Sequence, residues 1–236
     1  MNKLKLIQSE IPTYMMTLPI SGIVVKYKPF VVKQEKILLM AAQSTDINQI
    51  VDAMRNIIFT CTDGELDTKK LCTSDSEYAF LQIRMKSIGE EVKPQVTCSK
   101  CQHKTSIRIN LNEVKVKKTD KPVIDPTVKI TDHLSFVLRY PSMHDVDYSK
   151  SEIDAIFSIA KDCIESVIVD DEVYPIEDID QKEVADFLDN MMPDQFEKII
   201  QFIKTTPELR YEFNYNCPKC GTKVIVEVKT VSDFFQ

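Results

Sequence analysis

Three features of the sequence predict an α+β fold. Several stretches place apolar residues at helical spacing, other stretches alternate as strands do, and two Cys-x-x-Cys turns, far apart in the chain, each sit between extended segments. Together they predict a helical body, an N-terminal β-hairpin and a discontinuous pair of β-hairpins arranged like the halves of a zinc ribbon. In chain order this gives an N-terminal hairpin over 1–30, a helical segment over 31–90 and a first knuckle with strands over 91–142. A second helical segment over 143–207 and a second knuckle over 208–236 follow, the whole expected as one compact unit. With 4 Gly, 11 Pro and no repeated tract, the sequence offers neither a flexible linker nor a disordered arm.

Residues 13–18 and 23–27 read as the arms of the first hairpin, with Pro19 to Gly22 as its turn. After Pro29 the period changes. Ile37, Leu38, Met40 and Ala41 mark the core face of a helix over 32–43, and Ile47, Ile50, Val51, Met54, Ile57 and Ile58 mark the core face of another over 46–59. Ser74 or Ser76 is expected to cap a third helix carrying Tyr78, Leu81, Ile83 and Met85 and ending near Gly89. Val92 to Thr97 and Thr105 to Leu111 read as strands around the first cysteine pair. Val128–Ile130 and Leu134–Tyr140 read as strands of a small sheet or its edge. Ser151, with Glu152 just inside, opens a helix carrying Ile153, Ile156, Phe157, Ala160, Cys163 and Ile164. Val184, Phe187 and Leu188 mark the next, and Pro193 and Pro207 bound a last one through Phe196, Ile199, Ile200 and Ile203. Residues 209–215 and 223–228 are the strands around the second cysteine pair.

Charge and composition narrow the function. A net charge of −6 opposes a protein that clamps a nucleic-acid backbone, which relies on concentrated Lys and Arg. The basic cluster Lys115, Lys117, Lys118 and Lys121 reads as a solvated strand edge or loop. No stretch reaches the ~18 apolar residues of a membrane span, and none follows the N-terminus as a signal peptide would require, so a cytoplasmic protein is expected. In such a compartment seven cysteines do not read as a disulfide framework. No Gly-rich phosphate loop, His-Glu-x-x-His helix or Gly-x-Ser-x-Gly elbow is present, so no catalytic residues and no small-molecule substrate are assigned. The acidic pairs Asp170-Asp171 and Glu177-Asp178 read as solvated turns.

Cys98, Cys101, Cys217 and Cys220 are the candidate metal ligands. A Cys-x-x-Cys turn places two sulfurs on one side of a short loop, and two such turns complete the tetrahedral shell of a structural Zn2+. The stretch from Gln102 to Asn216, 115 residues, separates the pairs, where a simple zinc ribbon has about 15–20. Both knuckles would then come from distant parts of one chain, or the four ligands from two chains. Gly221, after the last cysteine, is expected where the backbone approaches a metal-bound sulfur. Neither pair opens a helix, which disfavours thioredoxin-type redox chemistry, and four protein ligands leave no open position for a catalytic water. His103 could replace one thiolate but reads as a loop residue, and His133 and His144 are isolated. Cys61, Cys72 and Cys163 read as small buried hydrophobes.

Pro12-Thr13-Tyr14, Leu18-Pro19, Gly22 and the run from Lys28-Pro29-Phe30-Val31 through Lys33-Gln34-Glu35-Lys36-Ile37-Leu38-Leu39-Met40-Ala41 resemble a tail baseplate protein of T4-like bacteriophages. The resemblance is densest in the first 45 residues and extends more loosely over both cysteine pairs to the end of the chain. It implies a non-enzymatic protein of the baseplate hub, made late in infection in the host cytoplasm. Such a protein binds other hub proteins and either stays in the virion or serves as an assembly factor. Phe234 and Phe235 near the C-terminus are candidate anchors for a partner or for folding back onto the protein's own core, two uses the sequence does not choose between. The alternative reading of the same cysteines is a zinc-ribbon nucleic-acid adaptor touching phosphate through Lys100, Lys104, Lys219 and Lys223.

Overall fold

The computed structural model describes residues 11–44, 46–117, 125–147 and 149–228, with the side chains of 115–117, 211, 227 and 228 set aside. Lys118, Lys121, Phe234 and Phe235 lie outside these residues. The chain forms two compact units: residues 118–207 are one, and the chain on either side of them is the other. The architecture is α+β, with six α-helices and small antiparallel sheets among the described residues.

The flanking unit begins with β1 (Tyr14–Thr17) and β2 (Val24–Tyr27), paired Tyr14 to Tyr27 and Thr17 to Val24. Alternation buries Met16, Val25 and Tyr27 and exposes Met15 and Val24, as a sheet with one covered face requires. Helix α1 (Val32–Ala42) follows Pro29, and its N-cap N–H at Val31 donates to the Gln34 side chain. Of its expected core face only Leu38 and Ala41, three apart on one side, are buried, whereas Ile37 and Met40 lie further round the helix and are exposed. Asp46 caps α2 (Ile47–Cys61) by accepting from the Asn48 N–H, and α2 buries Val51, Met54, Ile57, Ile58 and Cys61.

Helix α3 (Thr73–Ile88) begins one residue after Cys72, not at Ser74 or Ser76, both of which are buried in its first turns. This helix is covered on most sides: Phe80, Leu81 and Ile83 are sequestered, and so are Asp75, Ser76, Glu77 and Arg84. The buried carboxylate has a clear use. Asp75 accepts from the N–H groups of Ile20 and Ser21 at 2.9 and 2.8 Å, fixing the β1–β2 turn to the helix. Gly89 ends α3 with φ of 107°, and its carbonyl accepts from Arg84.

The two expected strands around the first cysteine pair are each broken. β3 (Glu91–Val92) pairs with β6 (Ile109–Asn110), and β4 (Gln95–Thr97) pairs with β5 (Lys104–Ser106). Pro94 lies at the break, where it lacks the ladder N–H, and its carbonyl still accepts from Ile107. Beyond a 3₁₀ turn at Leu111–Glu113, β7 (Lys115–Lys117) forms one edge of a three-stranded sheet, and the chain enters the inserted unit.

That unit is a four-stranded antiparallel sheet packed on three helices. β8 (Thr127–Lys129) and β9 (Leu134–Leu138) occur where expected, and Ser151 caps α4 (Glu152–Asp162) by accepting from the Asp154 N–H. The expected continuation of α4 to Ile164 fails: Cys163 is its C-cap, and Ile164 opens β10 (Ile164–Val169), which turns into β11 (Glu172–Pro175). The turn between them is Asp170-Asp171, with φ of 48° and 69°, and the sheet order is β11-β10-β9-β8. α5 (Gln181–Asp189), capped by Asp180, and α6 (Pro193–Ile203), with Pro193 at its first position, complete the layer. Phe136, Leu138, Ile164, Leu188, Ile199 and Phe202 meet in its core.

The return strand β12 (Glu208–Asn216) pairs with β7, Glu208 opposite Lys117, and then with β13 (Lys223–Val228). The insertion therefore leaves and re-enters its host unit through two paired residues.

Candidate metal centre

The β4–β5 turn carries Cys98 and Cys101, and the β12–β13 turn carries Cys217 and Cys220. The two turns are built alike. In the first, the Cys98 N–H donates to the His103 carbonyl at 2.9 Å and the Gln102 N–H to the Cys98 carbonyl at 2.9 Å. In the second, the Cys217 N–H donates to the Thr222 carbonyl at 2.9 Å and the Gly221 N–H to the Cys217 carbonyl at 2.8 Å. The residue after each second cysteine has the left-handed backbone: Gln102 with φ of 57° and Gly221 with φ of 68°. An added Cβ at Gly221 meets nothing within 4 Å, so the sequence-based reason for this glycine is corrected: the backbone angle favours it, not a close approach. Gln102 holds the same geometry at the steric cost of a side chain.

Folding brings the four sulfurs together. Sγ of Cys98 lies 3.8 Å from Cys220, Sγ of Cys101 lies 3.6 Å from Cys217, and all four are within 4.8 Å of one another. A disulfide needs about 2.05 Å, whereas thiolates at ~2.3 Å from a central zinc stand ~3.8 Å apart. The spacing and the all-sulfur donor set thus suit one tetrahedral soft cation, with every ligand from a single chain. Cys98 and Cys217 are fully buried with Val224, while Cys101, Tyr215 and Val226 pack around them and Cys220 faces outward.

The local field favours thiolates at two of the four positions. The Cys101 N–H, directed at the Cys98 sulfur, holds Cys98 below the ordinary thiol value against its burial. The hydroxyl and N–H of Thr222 bring Cys220 down to about 6. Cys101 receives the His103 N–H, but burial and the three neighbouring sulfurs raise it to about 12. Four anions in so small a volume repel one another, and a divalent cation relieves that repulsion.

The other candidates fall away from this cluster. His103 is half-buried and contributes its carbonyl to the knuckle. His133 is exposed and pairs with Asp170 at 2.7 Å in the inserted unit. Burial pushes Cys61 and Cys72 up to about 11 and Cys163 to about 12, as befits inert packing residues. Lys100, Lys104, Lys219 and Lys223 are exposed on the knuckles. Sequence reasoning missed Gln102, Thr222 and Tyr215 as parts of the centre. The matched placement of Gln102-His103 and Gly221-Thr222 after each cysteine pair was the available signal.

No helix among the described residues is long and apolar enough to cross a membrane. No curated protein and no solved structure matches the chain. A family model described as T4 bacteriophage base plate protein matches residues 11–236, which takes in the N-terminal hairpin, both cysteine turns and the inserted unit. The chain therefore belongs to the T4 bacteriophage base plate protein family, a membership that implies a place in the tail baseplate and contact with other baseplate proteins.

Proposed function

We propose that this baseplate protein is a non-enzymatic component or assembly factor of the baseplate hub, and that Cys98, Cys101, Cys217 and Cys220 hold one structural Zn2+. The observation that carries the metal reading is the gathering of four sulfurs from two like-built turns at the spacing of a zinc tetrahedron. A bound zinc would supply a fully coordinated cross-link with no open position for a substrate. The residues supply the rest: Cys98 and Cys217 anchor the ion from the interior, and the Cys101, His103 and Thr222 N–H groups share the thiolate charge. The hub role, synthesis late in infection and a cytoplasmic assembly stage rest on the resemblance alone.

Native mass spectrometry of protein purified without chelator tests the metal reading. One zinc per chain is expected, and none in a Cys98→Ser/Cys217→Ser variant of lower thermal stability. A metal-free wild type as stable as the variant would end it. The exposed lysines on both knuckles favour a second reading, a nucleic-acid adaptor, although four cations on a chain of net charge −6 give weak phosphate binding. Retention on immobilised DNA and RNA is expected to vanish at physiological salt. Retention that persists and falls steeply only as salt rises would favour the adaptor.

A further inference from the structure

The inserted unit has an apolar cavity of about 250 Å³ walled by Leu134, Phe136, Val167, Tyr174, Val184 and Phe187, with Glu183 beside them. Small-molecule sites run to ~300–1,000 Å³ and carry several convergent polar groups, so this volume suits one or two protruding side chains better than a cofactor. Glu183 is the charged side chain on its wall, and β10, β11, α5 and the turn between β10 and β11, which supply or join much of its lining, carry further acidic residues. From Ile164 to Asn190 the sequence holds ten acidic side chains and one basic, Lys182, so this stretch is more negative than the whole chain at −6. An occupant must bring apolar bulk between positive charges.

The flanking unit presents such a surface. Helix α1 buries Leu38 and Ala41 on one side, and on the other exposes Val32 by 76%, Leu39 by 59% and Met40 by 62%. Lys36 stands in the middle of this face and Lys33 at its side, and neither pairs with a carboxylate among the described residues. Two such helices face to face would oppose lysine to lysine, and two cavities would oppose acid to acid. Only the unlike pairing opposes charges of unlike sign across an apolar contact.

We propose that α1 of one copy docks into the acidic apolar cavity of a second copy, a head-to-tail contact that can close into a ring or extend as a filament. The contact goes beyond the metal and hub readings and uses none of the four cysteines.

Sedimentation velocity of the full chain over a concentration series tests it. The wild type should self-associate by on the order of 100 µM, less so at high salt. Asp186 lies exposed on α5, three residues and about one turn after Glu183. Lys33→Glu/Lys36→Glu and Glu183→Lys/Asp186→Lys should each weaken association at least tenfold while keeping the wild-type circular dichroism. Combining all four substitutions should restore it, because the reversed helix then meets a reversed rim. A leucine-to-charge change, Leu39→Glu, should abolish association in either background. A wild type that holds zinc yet remains monomeric would overturn this inference and leave the metal reading intact. Association indifferent to the Glu183/Asp186 change, or not restored in the fourfold variant, would overturn it as well.

Discussion

Asp75 shows how one side chain can decide a local conformation. It lies in a helix covered on most sides, yet its carboxylate is bound by two backbone donors of a turn more than fifty positions earlier. Hydrogen bonds to a charged acceptor contribute about 1.5–3 kcal/mol each, and removing the acceptor strands two N–H groups. Asp75→Ala is therefore expected to cost about 3 kcal/mol in urea denaturation, and a cost under about 1 kcal/mol would show that the turn holds without it. At the knuckles the contrast between Gln102 and Gly221 gives a second expectation. Gly221→Ala should cost only about 1 kcal/mol, since the new Cβ meets nothing, and zinc stoichiometry should be unchanged. Thiol reactivity separates the seven cysteines by the same local physics. In chelated protein at neutral pH, brief iodoacetamide treatment should label Cys220 first, exposed and lowered to about 6 by Thr222. Cys61 and Cys163, buried and raised to about 11 and about 12, should be labelled last. Peptide mapping that finds Cys163 ahead of Cys220 would contradict this ordering of burial and thiolate character.

Among the elements, the β10–β11 hairpin is the one that sequence reasoning did not find. Ile164 continues the apolar spacing of α4, so the helix is read one residue too far, and Asp170-Asp171 lacks the Asn-Gly or Asp-Gly pattern of a tight hairpin turn. Both aspartates nevertheless take positive φ, where the absence of a side chain helps. Asp171→Gly relieves that strain but frees the unfolded chain, so its net effect on stability, read from the midpoint of unfolding, is expected to be a gain of no more than about 0.5 kcal/mol. Asp170 is better retained, because it pairs with His133 at the end of the neighbouring strand. Helix α3 differs in its burial. Packing encloses its polar residues Asp75, Glu77 and Arg84 along with its apolar ones, a burial that the spacing of Tyr78, Leu81, Ile83 and Met85 does not record.

At the scale of the whole molecule, the inserted unit has its own core and connects to its host where Lys117 pairs with Glu208. All four cysteines belong to the host unit. Metal that binds only folded chain adds its binding free energy to the stability of the part it binds. Scanning calorimetry should therefore resolve two transitions, and chelation should lower one while leaving the other in place. A single transition displaced as a whole by chelator would mean that the two units unfold together. A further consequence is that residues 118–207 should be replaceable by a short turn, with the shortened chain still taking up one zinc per molecule.

The sequence by itself determined most local structure and the identity of the cysteine cluster. Helical period, N-caps such as Asp46 and Ser151, and proline positions act over a few residues, and the repeated Cys-x-x-Cys turn marks each knuckle without reference to the rest of the chain. Tertiary structure alone decided that sulfurs separated by Gln102 to Asn216 lie within 4.8 Å of one another and that the intervening chain folds as an inserted unit. It likewise enclosed Asp75 and left the apolar face of α1 uncovered. Each of these depends on which strand pairs with which and which face meets another element. Period and propensity carry no record of that choice, because many pairings satisfy the same local pattern and only the packed whole selects among them.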